Sequence, residues 1–197
     1  MTLADRLRAG LVREASPQRM GGDDMDHIPA ENRIPAAVLV AVTDRTVPGV
    51  LLTLRQPHLR RHAGQISFPG GRIDPGDDGP VAAALREAHE EIGLEPGAVD
   101  LIGATDTWSM GNGFVVVPVV GVIAPDLPLV PHEGEVAAIF EVPLEFLLEP
   151  RNHALKTIEW QGRERRIHEI QWQDRRIWGA TAGMIVNLSR RLAEAMA

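Results

Sequence analysis

The segment Phe68–Leu94, with the sequence FPGGRIDPGDDGPVAAALREAHEEIGL, restricts the possible folds of this chain more than any other segment. Its second half predicts a helix over Pro80–Ile92, because a proline is tolerated in the first turn and Gly93 follows the end. At about 100° per residue, the apolar residues of this helix form one stripe that can pack on a sheet. The stripe consists of Val81, Ala84, Leu85, Ala88 and Ile92. Beside it, and not opposite to it, lie three carboxylates: Glu87, Glu90 and Glu91.

An acidic cluster of this kind is unfavourable on its own. Carboxylates three and four residues apart repel each other, and negative charge in the last turns opposes the helix macrodipole. Arg86 can pair with Glu90, four residues later, but one guanidinium cannot neutralise three carboxylates. A divalent cation can, and oxygen ligands without Cys or His favour Mg2+ or Mn2+ over zinc. The alternative is a solvent-facing acidic surface that binds no metal.

The residues before the helix complete a known motif. Gly70-Gly71 ends a predicted strand and allows close backbone approach to the carboxylates. Together with REAHEEIGL at Arg86–Leu94, it resembles the Nudix box, G-x5-E-x7-R-E-U-x-E-E-x-G-U, where U is a bulky apolar residue. Asp77 stands where the box has Glu, eight rather than seven residues separate it from the arginine, and one apolar position is only Ala88. Because this loop is altered, no cation ligand is predicted at Asp77.

A second motif runs directly into this box. LLTLR at Leu51–Arg55, then Arg60, Gly64 and the FPGG of Phe68–Gly71, resembles L-L-T-x-R-[SA]-x3-R-x3-G-x3-F-P-G-G, the signature of Nudix hydrolases that act on coenzyme A. Every fixed position matches except Gln56, where that subgroup has Ser or Ala. Gly70 and Gly71 belong to both motifs and would also line the substrate site.

The resemblance implies an activity, the metal-dependent hydrolysis of the pyrophosphate bond of coenzyme A and its derivatives, with Mg2+ or Mn2+ as cofactor. The products would be 3',5'-ADP and 4'-phosphopantetheine, or its acylated form. By the same resemblance, Glu87 and Glu91 are metal ligands, and Glu90 is a ligand or orients the water. Arg86 would hold these acids in place, and the carbonyl of Gly71 is a further candidate ligand.

Further candidate residues lie outside the box. Glu135 is the first candidate for an outside carboxylate that acts as ligand or general base, and Glu133 is the second. Both precede a predicted strand, Ala137–Val142, and a solvated loop is the alternative for either. Arg55 and Arg60 belong to a local basic patch that can bind the 3'-phosphate and diphosphate of coenzyme A.

Two alternatives to this function stay open. The first is the same chemistry on another small molecule, such as ADP-ribose, NADH or a nucleoside triphosphate. The second is a Nudix-like sensor that binds a nucleotide without cleaving it, although a binding module has no need of a repelling acid cluster. The sequence makes no prediction of oligomeric state or of preference between free and acylated coenzyme A.

The resemblance also implies the fold, which is α+β, a Nudix-type α/β/α sandwich with a mixed β-sheet and the Nudix loop-helix. Residues 34–197 would form this domain, after an N-terminal helix and arm over residues 1–33. Runs rich in Val, Ile and Leu predict three of its strands, at Ala36–Val42, Gly49–Leu54 and Phe114–Ile123. Pro118 within the third run predicts a bulge or a division into two strands.

Two more helices are predicted near the ends of the chain. Leu3, Leu7 and Leu11 recur at helical spacing and indicate a short amphipathic helix, expected to pack on its own domain rather than on a membrane or partner. The residues of Ser16–Pro35 then read as a loop or arm. A helix over Thr181–Ala195 follows near the C-terminus. Its expected buried stripe is Met184, Ile185, Leu188 and Leu192.

Composition further limits the classes of protein and partner that fit this chain. The 197 residues fit one domain, and 20 Lys and Arg against 27 Asp and Glu give a net charge of -7. This charge disfavours nucleic acid or an anionic membrane as partner. Because the chain has no Cys, disulfides, thiolate zinc sites and cysteine nucleophiles are excluded. The patterns show neither a secretory signal nor a membrane-spanning run, so a cytoplasmic location is expected.

Overall fold

The structure is a computed structural model that describes residues 2–11, 22, 25, 28–160 and 163–196. Its helices are α1 (Leu3–Leu11), α2 (Gly79–Ile92), α3 (Leu144–Leu148) and α4 (Ala180–Met196). Its strands are β1 (Ile34–Thr43), β2 (Gly49–Arg55), β3 (Ile66–Ser67), β4 (Gly70–Arg72), β5 (Val99–Ala104), β6 (Trp108–Ser109), β7 (Phe114–Ile123), β8 (Val136–Pro143), β9 (Ala154–Trp160), β10 (Arg163–Trp172) and β11 (Arg175–Trp178). Short 3-10 turns lie at Ala30–Asn32, Pro96–Ala98 and Pro150–Asn152. Half of the predicted arm, Ser16–Pro35, lies outside the described residues, and its last two residues already belong to β1.

The three predicted helices are confirmed. α2 ends where Gly93 adopts a φ of +66° and donates its N–H to the carbonyl of His89 (2.9 Å). Glycine takes this left-handed conformation without a steric penalty and therefore ends the helix. The expected stripe of α4 is buried along its whole length: Met184, Ile185, Leu188 and Leu192. Within the described part of the chain, no helix is long and apolar enough to cross a membrane.

The main sheet is mixed, as expected. β1 pairs in parallel with β7, from Ile34 with Phe114 to Thr43 with Ile123. The other pairs are antiparallel: β1 with β2 and β4, β2 with β3 and β8, and β7 with β5 and β6. β1 and β2 are paired at the Thr43 end, and towards their other ends β1 pairs with β4 and β2 with β3. The short link of Phe68–Pro69 therefore carries the chain from β2 across to β1.

Helices cover both faces of this sheet. α2 packs on one face, where Leu39 of β1 and Leu51 of β2 belong to its core. On the other face, Val40 and Leu52 join the core that contains residues of α1 and α4. Neighbouring residues of one strand point to opposite faces, so each strand supplies both cores in turn. The arrangement is the expected α/β/α sandwich.

A second sheet lies next to α4, and the sequence patterns do not predict it. β10 pairs in it with β9 and with β11, both antiparallel. β10 reads RERRIHEIQW, so charged residues obscure the alternation that marks a strand. Ile170 and Ile177 are fully buried in the core shared with α4 and anchor this sheet to the domain.

The prediction that Pro118 bulges or divides its own strand is wrong. β7 runs unbroken and in register with β1 through this residue. The division lies in the neighbour on its other side, because β5 pairs with β7 as far as Val119 and β6 pairs from Val116. Between the two, the Pro118 carbonyl accepts a hydrogen bond from the N–H of Thr105 (2.8 Å). A proline has no N–H to donate, and it stands where the adjacent strand is interrupted.

A buried ion pair ties α1 and α4 to the sheet. Arg191 of α4 donates from Nη1 to Asp106 (2.7 Å) and from Nη2 to the carbonyl of Leu11 at the end of α1 (3.1 Å). Asp106 lies between β5 and β6 and also accepts from Asn187 Nδ2 (3.5 Å). The N-terminal helix therefore packs on its own domain, as its pattern favours.

Candidate active site

The glycine pair of β4 meets the acidic side of α2. A side chain at Gly71 would collide with the carboxylate of Glu87, so this approach requires glycine. The backbone N–H of Gly70 faces the carboxylate of Glu91 and opposes the rise in its pKa. Pairing of β4 with β1 fixes the position of both glycines. Both glycines singled out in the sequence therefore adjoin carboxylates of the helix.

Arg86 links the acids through its whole guanidinium. Its Nε and Nη2 donate to the two carboxylate oxygens of Asp77, and Nη1 donates to Glu87 and Glu90, each at 3.0 Å. Nη2 also donates to the carbonyl of Arg72 (3.0 Å). The hydrogen bonds from Arg86 lower the pKa of Asp77, whose side chain is 7% exposed. The altered loop thus supplies a bidentate partner for Arg86, a role that the motif position of Asp77 alone does not predict.

Glu91 is the most buried of the three helix carboxylates, with 5% of the residue exposed. Burial raises its pKa to about 7, opposed by the charge of Arg55 and reinforced by those of Glu87 and Glu135. Its Oε2 is buried and has no hydrogen-bond partner among the described residues. Leaving a buried carboxylate oxygen unbonded is costly, so this atom indicates a ligand that the described residues do not supply.

The other two carboxylates differ in their surroundings. Glu87 is half-buried, and burial raises its pKa against the opposing hydrogen bond from Arg86. Glu90 has a side chain that is 56% exposed and that is bonded to Arg86. In the described ranges, no three His, Cys, Asp or Glu side chains form a group that could hold a metal. By their exposure, Glu87 and Glu91 point inward and Glu90 lies at the rim of the site.

Two inward carboxylates suit the expected cation. Mg2+ is usually bound through one or two carboxylates, while water and substrate phosphates complete its coordination. Glu87, Glu91 and the carbonyl of Gly71 offer only hard oxygen atoms, which Mg2+ and Mn2+ prefer. The Oε2 of Glu91 gives independent support, because none of the described residues supplies it with a hydrogen-bond partner. The residues present thus fit a divalent cation.

The two arginines singled out in the sequence lie in different surroundings. Arg55 ends β2, its side chain is 24% exposed, and its Nη1 lies 3.7 Å from Glu91 Oε1. Its Nε is buried and without a hydrogen-bond partner in the described structure. Arg60 is exposed in the loop between β2 and β3, and no contact among the described residues joins it to the acids. The fold brings Arg55, but not Arg60, to the carboxylates.

The first outside candidate, Glu135, is exposed and lies near enough for its charge to raise the pKa of Glu91. The loop that carries it is tied to α2, because the N–H of His132 donates to the carbonyl of Glu91 (2.8 Å). Glu133, the second candidate, is exposed in the same loop. The electrostatic contact with Glu91 supports the choice of Glu135.

Comparison with known proteins agrees with this fold and site. The NUDIX domain model matches residues 33–174. A Nudix hydrolase NudL of Cronobacter sakazakii is 48% identical over 164 residues, which cover 83% of this chain and 85% of that protein. The NudL of Escherichia coli K12 is 43% identical over 161 residues, 82% of this chain and 84% of that protein. The chain belongs to the Nudix hydrolase family.

The relatives do not extend this result to a substrate. Both are called uncharacterized Nudix hydrolases, and neither name states what the protein cleaves. Among solved structures, a MutT/nudix family protein from Enterococcus faecalis matches with a TM-score of 0.51 at 16% identity, covering 84% of this chain and 64% of that one. At that identity the similarity shows the fold alone.

Proposed function

We propose that this protein hydrolyses the pyrophosphate bond of coenzyme A and its derivatives, with Mg2+ or Mn2+ as cofactor. The observation that carries the proposal is Glu91, a buried carboxylate with an unbonded oxygen and a pKa of about 7. Perturbed groups of this kind cluster at functional sites. Support for coenzyme A as substrate comes from the signature over Leu51–Gly71, in which Arg55 adjoins the acids.

Glu87, Glu91 and the carbonyl of Gly71 would hold the cation. When bound, it would screen the charge of the pyrophosphate and lower the pKa of a water molecule. Arg86 keeps Glu87 in place through its Nη1 hydrogen bond (3.0 Å). Glu90, bonded to the same nitrogen at the rim, is a further ligand or orients the water.

Side chains of the protein would accept the proton and stabilise the phosphate charge. Glu135 would accept a proton from the attacking water as the new bond to phosphorus forms and the bridging P–O bond breaks. Arg55 is positioned to stabilise negative charge on the phosphates, because it already lies beside the acids. Arg60, in the neighbouring exposed loop, would bind the 3'-phosphate. The products are 3',5'-ADP and 4'-phosphopantetheine, or the acylated form.

The test compares the intact protein with Glu91→Gln, which keeps the shape of the side chain and removes its charge. Turnover of coenzyme A with Mg2+ or Mn2+ is followed, and the products are identified by mass. We expect a loss of about 10³-fold in the variant, a typical effect of removing a group that stabilises transition-state charge. Glu95→Gln is the control, because it removes an exposed charge just after the same helix.

Two outcomes would contradict the proposal. Undiminished activity in Glu91→Gln would exclude the acid-cluster mechanism. Cleavage of ADP-ribose, NADH or a nucleoside triphosphate in preference to coenzyme A would agree with the proposed chemistry and contradict the proposed substrate. Dephospho-coenzyme A tests the role of Arg60, since it lacks only the 3'-phosphate.

A further inference from the structure

Gln56 is the position where the chain departs from the coenzyme A signature, and its contacts are unlike those of the Ser or Ala expected there. Its side-chain Nε2 donates to the carbonyl of Glu133 (2.8 Å) and, at 3.4 Å, to that of Val136. Its backbone N–H donates to the carbonyl of Glu135 (2.8 Å). One residue thus binds three carbonyls of the segment 133–136, and neither Ser nor Ala has an amide donor of this length.

The residues just before this segment are fixed by the end of α2. The N–H of Val130 donates to the carbonyl of Ile92 (3.0 Å), and that of His132 donates to the carbonyl of Glu91 (2.8 Å). The pairing of β2 with β8 is also irregular here, because Leu54 pairs with Ala138 whereas Arg55 pairs with Val136. The pairing of β2 with β8 therefore departs from a regular antiparallel pattern next to the carbonyls that Gln56 binds.

The segment needs such contacts because charge repulsion acts on it. The loop that carries Glu135 lies beside the acids, because the N–H of His132, three residues earlier, donates to the carbonyl of Glu91 (2.8 Å). Glu135 itself is exposed, so packing does not hold its side chain in place. Repulsion between like charges favours outward movement of the segment, which hydrogen bonds from its neighbours oppose.

We propose that Gln56 is a positioning residue that holds the segment 133–136 so that Glu135 stays directed at the acidic site. This inference rests on the proposed function for the role of Glu135, but not on the identity of the substrate. Gln56 acts through Glu135 and has no need to contact the substrate. Its loss should lower kcat and leave KM almost unchanged.

The test uses Gln56→Met, which has similar length and no donor. The matched control is Gln171→Met, because Gln171 Nε2 also donates to a carbonyl at 2.8 Å, that of Gln173, in the turn between β10 and β11. We expect kcat to fall about tenfold in Gln56→Met, with KM within about twofold, and no change in the control. The substrate is coenzyme A or whichever compound of the panel is cleaved fastest.

A second measurement needs no substrate. The N–H groups of Glu135 and Val136 both donate to the carbonyl of His132 (2.9 Å each), so their hydrogen exchange reports on the order of the segment. We expect exchange about fivefold faster in Gln56→Met and unchanged in Gln171→Met. Unchanged exchange overturns the inference, whatever the enzyme cleaves.

The kinetic outcomes separate this inference from the proposed function. Faster exchange with an undiminished kcat would show that Gln56 holds the segment without positioning a catalytic group, which overturns the inference. In a Glu135→Gln background, the loss of Gln56 should lower kcat no further, and an additive loss contradicts a route through Glu135. Failure to cleave coenzyme A, with another substrate cleaved, overturns only the proposed substrate.

Discussion

Two carboxylates of this protein are almost equally buried and differ in what surrounds them. Asp106 accepts a hydrogen bond from Arg191 at 2.7 Å and another from Asn187. Glu91 has its nearest guanidinium, that of Arg55, at 3.7 Å, and its Oε2 is unbonded among the described residues. Both belong to ion pairs, and the amino-acid sequence alone does not show that the two pairs differ.

The difference separates a buried charge that serves the fold from one for which we propose a role in the chemistry. The Asp106 pair joins α1 and α4 at short distance, so its charges compensate each other within the chain. At Glu91, burial outweighs the attraction of Arg55, and the pKa rises to about 7. An incompletely compensated charge costs stability, and this cost is expected at a site that awaits a cation and a substrate. Removing each charge should therefore change stability in opposite directions.

The largest expected effect is the destabilisation caused by Asp106→Asn. The substitution removes the charge of the carboxylate to which the buried guanidinium of Arg191 donates at 2.7 Å, and breaking a buried ion pair typically costs about 3 to 5 kcal/mol. Urea unfolding at pH 7 measures the change. The control is Asp100→Asn, which removes the partner of Arg8 in an exposed ion pair between α1 and β5. Exposed pairs contribute about 0 to 1 kcal/mol, so equal losses in both variants would contradict the comparison.

The second effect is a gain of stability in Glu91→Gln without metal. Between its ordinary pKa and a folded-state pKa of about 7, the folded protein binds a proton that the unfolded chain has released. Stability of the intact protein therefore falls as pH rises through this range, and a neutral amide removes the loss. We expect the variant to be more stable by about 2 to 3 kcal/mol at pH 8 and nearly equal at pH 4.5.

Urea unfolding in the presence of a chelator checks this prediction at both pH values. Groups away from the site contribute equally in the two proteins, so the difference reports on Glu91 and the charges next to it. Adding Mn2+ at pH 8 should stabilise the intact protein more than Glu91→Gln, because the variant loses one of the two carboxylates proposed as ligands. A variant that is less stable than the intact protein at pH 8 would show that the Arg55 contact compensates Glu91 fully.

The smallest effect is expected at Asp77, the bidentate partner of Arg86. Asp77→Asn weakens this pair, and because Arg86 orients Glu87 and Glu90, we expect turnover to fall about tenfold. Asp78→Asn is the matched control, since it removes the same charge from the next residue, which is exposed. Steady-state kinetics of the two variants measure the difference in turnover. An equal loss of turnover in both would indicate a general effect of the removed charge and not of the pair between Asp77 and Arg86.

Much of the fold follows from local sequence patterns. The acidic helix, the helix at Ala180–Met196 and the three apolar strands are predictable because their periodicity extends over several turns or residue pairs. The strands β9, β10 and β11 are not, because charged residues interrupt their alternation and, where their burial is described, only Ile170 and Ile177 are fully buried. The prediction at Pro118 is wrong for another reason. The interruption lies not in β7, which contains Pro118, but in the neighbouring β5 and β6, and only the tertiary structure determines which strands pair with β7.

The candidate site divides in the same way. The helical spacing of Glu87 and Glu91 predicts their common face, and both lie inward. The same spacing predicts Glu90 beside them, but the side chain turns to the rim and to Arg86. Contacts such as that of Gln56 with Glu133 join residues 77 positions apart, and no local pattern encodes them.

The parallel pair of β1 and β7 has a consequence for the order of folding. Ile34 pairs with Phe114, 80 positions further along the chain, and β2, β3, β4 and α2 all lie within the loop that this pair closes. Closing a long loop costs conformational entropy before its contacts compensate, so we expect this step to limit the folding rate. The face on which α2 packs would then be completed late, because Val119 and Ile123 of β7 belong to the same core as Ala88. A chain still under synthesis would carry the acidic helix on an incomplete sheet until β7 has left the ribosome.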